Sequence, residues 1–202
     1  MTRHPARVGV RRLLAVALGC AVLLGAGACT GRADPGPTST VAGGAAALPG
    51  PAPADLRLRP APAGAPAAPA VTGQLTDGTR LALADLWAQR PVVLVFFSSW
   101  CGTCGQRQEA LAELARGLRD RVVFVGVTAD EEPAELAAYL RTHRVDHPVV
   151  VDAEGAIWRA YAMREPPGIA VIAKGGRLLR GWPGGVPAST VESVLRQQVL
   201  AP

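Results

Sequence analysis

Cysteine is scarce in this 202-residue chain, with four in all. Cys20 lies inside an N-terminal apolar run and Cys29 at its end, so only Cys101 and Cys104 fall where the chain reads as folded. A framework of several disulfides is thereby excluded. Histidine is scarcer still, at three. A zinc site needs four ligands, usually a second Cys pair or two spaced His. His143 and His147 follow a predicted helix and precede Pro148 with no acid or Cys spacing to match, so no metal is expected. A basic patch is also missing from the body of the chain. The formal charge is +5 and the pI 9.6. Residues 1–28, however, hold Arg3, Arg7, Arg11 and Arg12 and no acid, while from residue 71 onward 14 Lys+Arg face 14 Asp+Glu. With the excess mainly at the N-terminus, no phosphate footprint remains in the domain, and nucleic acid is excluded as a partner. Charged residues make up only 18% against 49% hydrophobic, which excludes a wholly disordered chain. The length suits one ordinary domain with some left over. No internal repeat is visible.

An apolar run without charge, Leu13–Ala28 (LLAVALGCAVLLGAGA), is short for a membrane span and ends in small residues. Behind a basic segment, that is the pattern of a cleaved export signal, assigned to residues 1–28. Ala26-Gly27-Ala28-Cys29 resembles a bacterial lipobox, in which cleavage precedes a Cys that carries lipid on its sulfur, although a Leu is more usual three residues before that Cys. The alternative is an ordinary soluble-export signal that contains a Cys. Arg11-Arg12-Leu13-Leu14 also loosely matches a twin-arginine signal. Residues 29–70 follow, where Ala, Pro and Gly supply 28 of 42 residues and nine of the 18 prolines. Such a stretch buries too little apolar surface to offset its ordering entropy, so a disordered, Pro-stiffened linker is expected, holding a domain away from a membrane surface.

From Val71 to the end at residue 202 the pattern is that of a folded domain. Gln74–Leu83 alternates around Asp77-Gly78, as a hairpin does. Pro91–Ser98 (PVVLVFFS) and Arg121–Val127 (RVVFVGV) are continuous apolar runs, expected of strands buried on both faces. Residues 101–119 carry Leu111, Leu114 and Leu118 at helical spacing, and Glu132–His143 carries Leu136, Tyr139 and Leu140 on one face. Pro148–Asp152 predicts a third strand and Ile157–Tyr161 a short helix. Gly168–Ala173 and Arg177–Trp182 flank the turn Gly175-Gly176. Ser189 and Glu192 predict a capping box opening a helix to about Leu200. The order β–α–β–α–β–(α)–β–β–α, after a hairpin, specifies a mixed sheet with helices on both faces.

Ser98-Ser99-Trp100-Cys101-Gly102-Thr103-Cys104 joins a buried strand to an amphipathic helix. Two cysteines separated by two residues at a helix N-terminus form a small disulfide ring. They also sit where unpaired backbone N–H groups and the helix dipole favour negative charge. That lowers a thiol pKa, to about 3.5–7.5 in cases of this kind. Cys101, at the exposed end, is the expected nucleophile, and Cys104, one turn in, resolves the mixed disulfide. Gly102 leaves Cys101 accessible, Thr103 is placed to point its hydroxyl at the Cys101 sulfur, and Trp100 is an apolar wall beside it. A purely structural disulfide is the bland alternative, but so tight a ring closes almost no loop and stabilises little. Export would place the pair where an oxidised form persists.

With these residues the chain resembles the thioredoxin superfamily and, within it, the TlpA/DsbE-like exported thiol–disulfide oxidoreductases. The resemblance covers Val71–Leu200 and rests on the lead-in hairpin, PVVLVFFSSWCGTC, VVFVGVTADEEPAELAAYLRTHRVDHPVVVD and PPGIAVIAKGGRLL. It implies an α/β thioredoxin-like three-layer fold, a mixed central sheet flanked by helices, with the active pair at the end of the first core strand. It also implies a cis-proline facing the pair, placed by register at Pro167, with Pro166 the alternative. In the family, backbone beside this proline pairs with an extended substrate, but Pro166 has no N–H to donate. The chain departs from the family at three further places. Thr103 stands where Pro is frequent, Arg107 where many relatives have an acid, and Val95 where thioredoxins bury an Asp. The usual proton acceptors for Cys104 are thus absent, with Glu109 and Glu165 as candidate substitutes. Arg107 and the missing Pro lean the pair towards a more oxidising potential than thioredoxin.

The resemblance implies an enzyme without cofactor or metal, acting on protein dithiols or disulfides in cytochrome c maturation or exported-protein folding. A membrane redox partner resetting the pair, a lipid anchor at Cys29, a place on the outer face of the cytoplasmic membrane and a monomeric state complete the expectation. Two alternatives stand beside it. A thiol peroxidase shares the fold, and Ser98 precedes Cys101 by three residues, but no Pro-containing loop leads into it. A non-catalytic metal or substrate carrier on the same scaffold would keep its ligand when Cys101 is replaced.

Overall fold

The computed structural model describes residues 41–129 and 131–202. The export-signal and lipidation expectations for residues 1–29 lie outside the described residues. Strands β1 (Thr72–Leu75) and β2 (Arg80–Ala82) form the lead-in hairpin. Its turn places Gly78 at φ 81°, and the Asp77 carboxylate accepts the Thr79 N–H at 3.0 Å. Helix α1 (Leu83–Gln89) follows, then β3 (Val92–Phe96), α2 (Gly102–Leu118), β4 (Val123–Thr128) and α3 (Pro133–Thr142). The chain continues with β5 (Val149–Val151), α4 (Ala156–Ala160), β6 (Gly168–Ala173), β7 (Arg177–Pro183) and α5 (Ala188–Val194).

The seven strands form one sheet in the order β2-β1-β5-β4-β3-β6-β7. The β3–β4 and β4–β5 pairs are parallel and the others antiparallel. Every residue of β3 and β4 is buried, which is why both read as unbroken apolar runs. Alternate residues of β3 serve opposite faces. Val92, Leu94 and Phe96 pack with Trp87, Ile157 and Trp158 from α1 and α4. Val93 and Val95 pack with Leu111, Ala115, Val191 and Leu195 on the side of α2 and α5. A third cluster, Phe97, Leu136, Tyr139, Leu140 and Val149 with both Cys101 and Cys104, fastens α3 beside the end of β3. Gly126 of β4 lets this cluster close, because a Cβ there would lie 2.9 Å from the Phe97 ring and 3.0 Å from Val149.

Two expectations are corrected. Ser189 and Glu192 form no capping box. Pro187 is the N-cap of α5, with a fixed φ of −59° and no side-chain cap, so Ser189 already sits inside the helix. Glu192 instead takes the Arg196 guanidinium at 2.6 Å, and the chain widens into a π turn at Leu195–Val199. Residues 41–70, expected as part of a disordered linker, lie along the domain. The Ala68 N–H donates to Gly176 O at 2.8 Å and the Leu178 N–H to Pro66 O at 2.9 Å, which covers the outer edge of β7. The Arg59 N–H donates to Val199 O, and Tyr161 Oη–H to Pro69 O. Proline stiffening reduces the entropy lost on laying this strap down, so a few edge hydrogen bonds and small apolar contacts suffice.

Candidate functional site

The site grows out of the end of β3. Phe97 prolongs the strand, its N–H donating to Val127 O at 3.0 Å. A tight turn follows, closed by the Cys101 N–H on Ser98 O at 3.0 Å. Cys101 is then the N-cap of α2, with extended backbone at φ −82° and ψ 101°. Its Sγ accepts the Cys104 N–H at 3.1 Å, so the sulfur takes the place a Ser or Asp oxygen occupies at ordinary helix starts. Cys101 and Cys104 are joined as a disulfide with their Cα atoms 5.2 Å apart. Cys104 is 2% exposed and Cys101 7%, so an incoming sulfur meets Cys101 first.

The register of the sheet brings the proline loop to the same place. Phe96 pairs with Gly168 across the antiparallel β3–β6 ladder, so Pro167 lies at the level of Phe97. The Pro166–Pro167 peptide bond is cis. A Cβ on Gly185 would lie 3.1 Å from both Pro167 and the Arg107 guanidinium, and Arg107 donates to Gly184 O at 3.1 Å. Helix α2, the proline loop and the 184–185 turn therefore meet at one edge of the site.

The flanking residues fall as follows. Gly102 and Thr103 are exposed on the first turn of α2. The hydrogen bond that reaches the Cys101 sulfur comes from the Cys104 N–H rather than from the Thr103 hydroxyl. Trp100 stands 74% exposed and forms the rim of an open groove with Ser99, Glu135, Tyr139 and His143. Val95 is buried among apolar side chains. Glu109 reaches outward to Arg144 at 3.4 Å and Glu165 is exposed, so neither is tied to Cys104. His143 packs on the Tyr139 ring at 4.4 Å between centroids, while His147 is buried with its edge to Phe124. Burial pushes the His147 imidazole down to about 4. No group of three or more metal-ligating side chains occurs among the described residues, and no described helix is long and apolar enough to cross a membrane.

One site residue escapes the sequence reading. The Glu131 carboxylate, on the loop after β4, accepts the Ser99 N–H at 2.9 Å, the Ser99 hydroxyl, and the Thr128 hydroxyl at 2.7 Å. The parallel register was the available signal. Phe96 pairs with Val127, so residues just past Thr128 run beside Ser98 and Ser99.

Comparison with known proteins matches a family model described as Redoxin over residues 62–195. The thiol-disulfide oxidoreductase ResA of Bacillus subtilis is 24% identical over 129 residues, which is 63% of this chain and 72% of that protein. A thioredoxin of Rhodospirillum rubrum is 39% identical over 54 residues, 27% of this chain and 52% of that one. Among solved structures, the pneumococcal exposed lipoprotein thioredoxin of Streptococcus pneumoniae superposes with a TM-score of 0.55 at 25% identity, covering 63% of this chain and 98% of that one.

Proposed function

The chain belongs to the Redoxin family and is a thiol–disulfide oxidoreductase of thioredoxin fold; from that premise we propose that it works outside the reducing cytosol, exchanging electron pairs between Cys101–Cys104 and cysteines of other exported proteins. The observation that carries this reading is the Cys101 sulfur serving as the N-cap of α2, where it accepts a backbone N–H. A sulfur held there is stabilised as a thiolate by the helix dipole and the unpaired amides.

In the oxidising direction a substrate thiolate attacks Cys101 Sγ. The Cys101–Cys104 bond breaks and Cys104 leaves with the electron pair and takes up a proton. The substrate's second thiolate then attacks its own sulfur in the mixed disulfide and displaces Cys101. The substrate loses two electrons and the couple gains them; of the two thiol protons the substrate gives up, Cys104 takes one and solvent the other, and Cys101 is left as a thiolate. Reduction of a substrate disulfide runs through the same steps in reverse, with Cys101 as attacking thiolate and Cys104 as resolving thiol. Trp100, Gly102 and Thr103 offer the exposed face that the substrate chain meets. Pro167, level with Phe97 across the β3–β6 ladder, is the proline of the substrate groove in this reading, and Pro166, lacking an N–H, leaves one side of substrate backbone pairing unmade.

Residues 1–28 serve as the export signal, and lipid on Cys29 tethers the domain to the outer face of the cytoplasmic membrane, where a membrane redox partner resets the couple. The likeness to the pneumococcal exposed lipoprotein thioredoxin supports this placement. Substrates are sought among exported proteins that need disulfides made or removed, cytochrome c maturation included. Cys104→Ala in the full chain tests the exchange. It is expected to accumulate reductant-sensitive adducts through Cys101 in the exported compartment, absent from the double variant that also carries Cys101→Ala. Failure to capture any covalent partner contradicts the mechanism.

A further inference from the structure

Glu109 pairs with Arg144 and Glu165 is exposed, yet one carboxylate is built into the turn that carries Cys101. Glu131 is half-buried. Two of its three hydrogen bonds come from Ser99, from the backbone N–H at 2.9 Å and from the hydroxyl, and the third comes from Thr128 at 2.7 Å. The same turn is closed on its other side by the Cys101 N–H on Ser98 O. Three donors on one side chain fix both the path of residues 98–101 and the position of a negative charge. We propose that Glu131 is a positioning residue of the Cys101–Cys104 couple, clamping the nucleophile's turn and holding the couple more reducing than the helix terminus alone would set it.

This rests on the oxidoreductase reading above. A negative charge near the helix start disfavours the Cys101 thiolate. Stabilising the reduced thiolate makes such couples oxidising, so a charge that destabilises it acts the other way. The field of Glu131 reaches this cluster. Tyr139 stacks on Phe97 with centroids 5.2 Å apart and packs in one apolar cluster with both cysteines. Its phenol is pushed up by burial and, after that, by the charge of Glu131. Among the described residues, Glu135 and His143 of α3 face this corner along the Trp100 groove, and Arg107 of α2 turns its guanidinium to Gly184 O.

Three variants of the full chain separate charge from clamp. Glu131→Gln keeps acceptors for the Ser99 N–H and the Thr128 hydroxyl and offers an amide N–H to the Ser99 hydroxyl, so it removes charge and little else. Ser99→Ala loses one hydrogen bond and keeps the charge. Glu131→Ala loses both. Each is equilibrated with glutathione buffers, and the pH midpoint of Cys101 alkylation is measured. Glu131→Gln is expected to shift the equilibrium towards the dithiol by about tenfold, about 30 mV, and to lower the alkylation midpoint. Ser99→Ala should leave both near wild type. A Glu131→Gln couple that equilibrates like wild type, or Ser99→Ala and Glu131→Ala shifting alike while Glu131→Gln does not, overturns the proposal. A wild-type chain that never equilibrates with glutathione overturns the oxidoreductase reading along with it.

Discussion

His147→Phe tests the packing account beneath the site through a pH dependence. His147 is buried between α2 and the strap, beside Arg116, Arg119, Asp146 and Phe124 around a cavity of about 30 Å³. Neither ring nitrogen has a hydrogen-bond partner among the described residues. Burial lowers its pKa from 6.5 to about 4, with Asp146 opposing and Arg116 adding to the shift. The folded state therefore holds the imidazole neutral, while the unfolded chain takes up a proton below about pH 6.5. Because the unfolded state binds more protons in that window, stability falls as pH drops from about 6.5 to about 4 and levels off below. At 1.36 kcal/mol per unit the fully developed loss is roughly 3 kcal/mol, a large share of the ~5–15 kcal/mol typical of a domain. Urea unfolding of the disulfide-intact protein at pH 7 and pH 4.5 reads it. Carboxylates titrate in both proteins and cancel in the comparison. Wild type should lose about 2–3 kcal/mol more than His147→Phe over that interval. Removing two unpaired nitrogens should leave the variant at least as stable near pH 7. Parallel pH profiles would refute the reasoning.

Two further outcomes follow from the site and its support. The couple should have a potential above about −270 mV, the thioredoxin value, because Thr103 replaces the frequent Pro and Arg107 replaces an acid; a glutathione-equilibrium value well below that contradicts the argument. Gly126→Ala should cost about 1–3 kcal/mol by driving a methyl into the Phe97 ring and Val149, read by thermal unfolding; an unchanged midpoint would mean that this corner has slack.

Much of the fold is legible because its signals are local. The runs at Pro91–Ser98 and Arg121–Val127 become β3 and β4, which like β6 are buried along their whole length. The Asp77-Gly78 and Gly175-Gly176 turns carry glycines at positive φ, a demand that composition records directly. The Cys101–Cys104 pair is legible because strand, turn and helix are contiguous. Three features are not, each for a physical reason. The strap over 41–70 looks unstructured, since its order comes from edge hydrogen bonds to β7 and the C-terminal turn rather than from its own apolar content. Ser189 and Glu192 match a capping pattern, but the fixed φ of Pro187 starts the helix two residues early. Glu131 stands 32 residues from Ser99, and only the parallel β3–β4 register makes them neighbours.

The central claim is that Cys101 is an accessible, stabilised thiolate at the head of α2. The direct measurement is the alkylation rate of the reduced protein across pH, resolved by sulfur. Cys101 should react alone, with a midpoint well below the ordinary thiol value of about 8.5, while Cys104 stays protected. A midpoint at or above that value, or a Cys101 that does not react, contradicts the account.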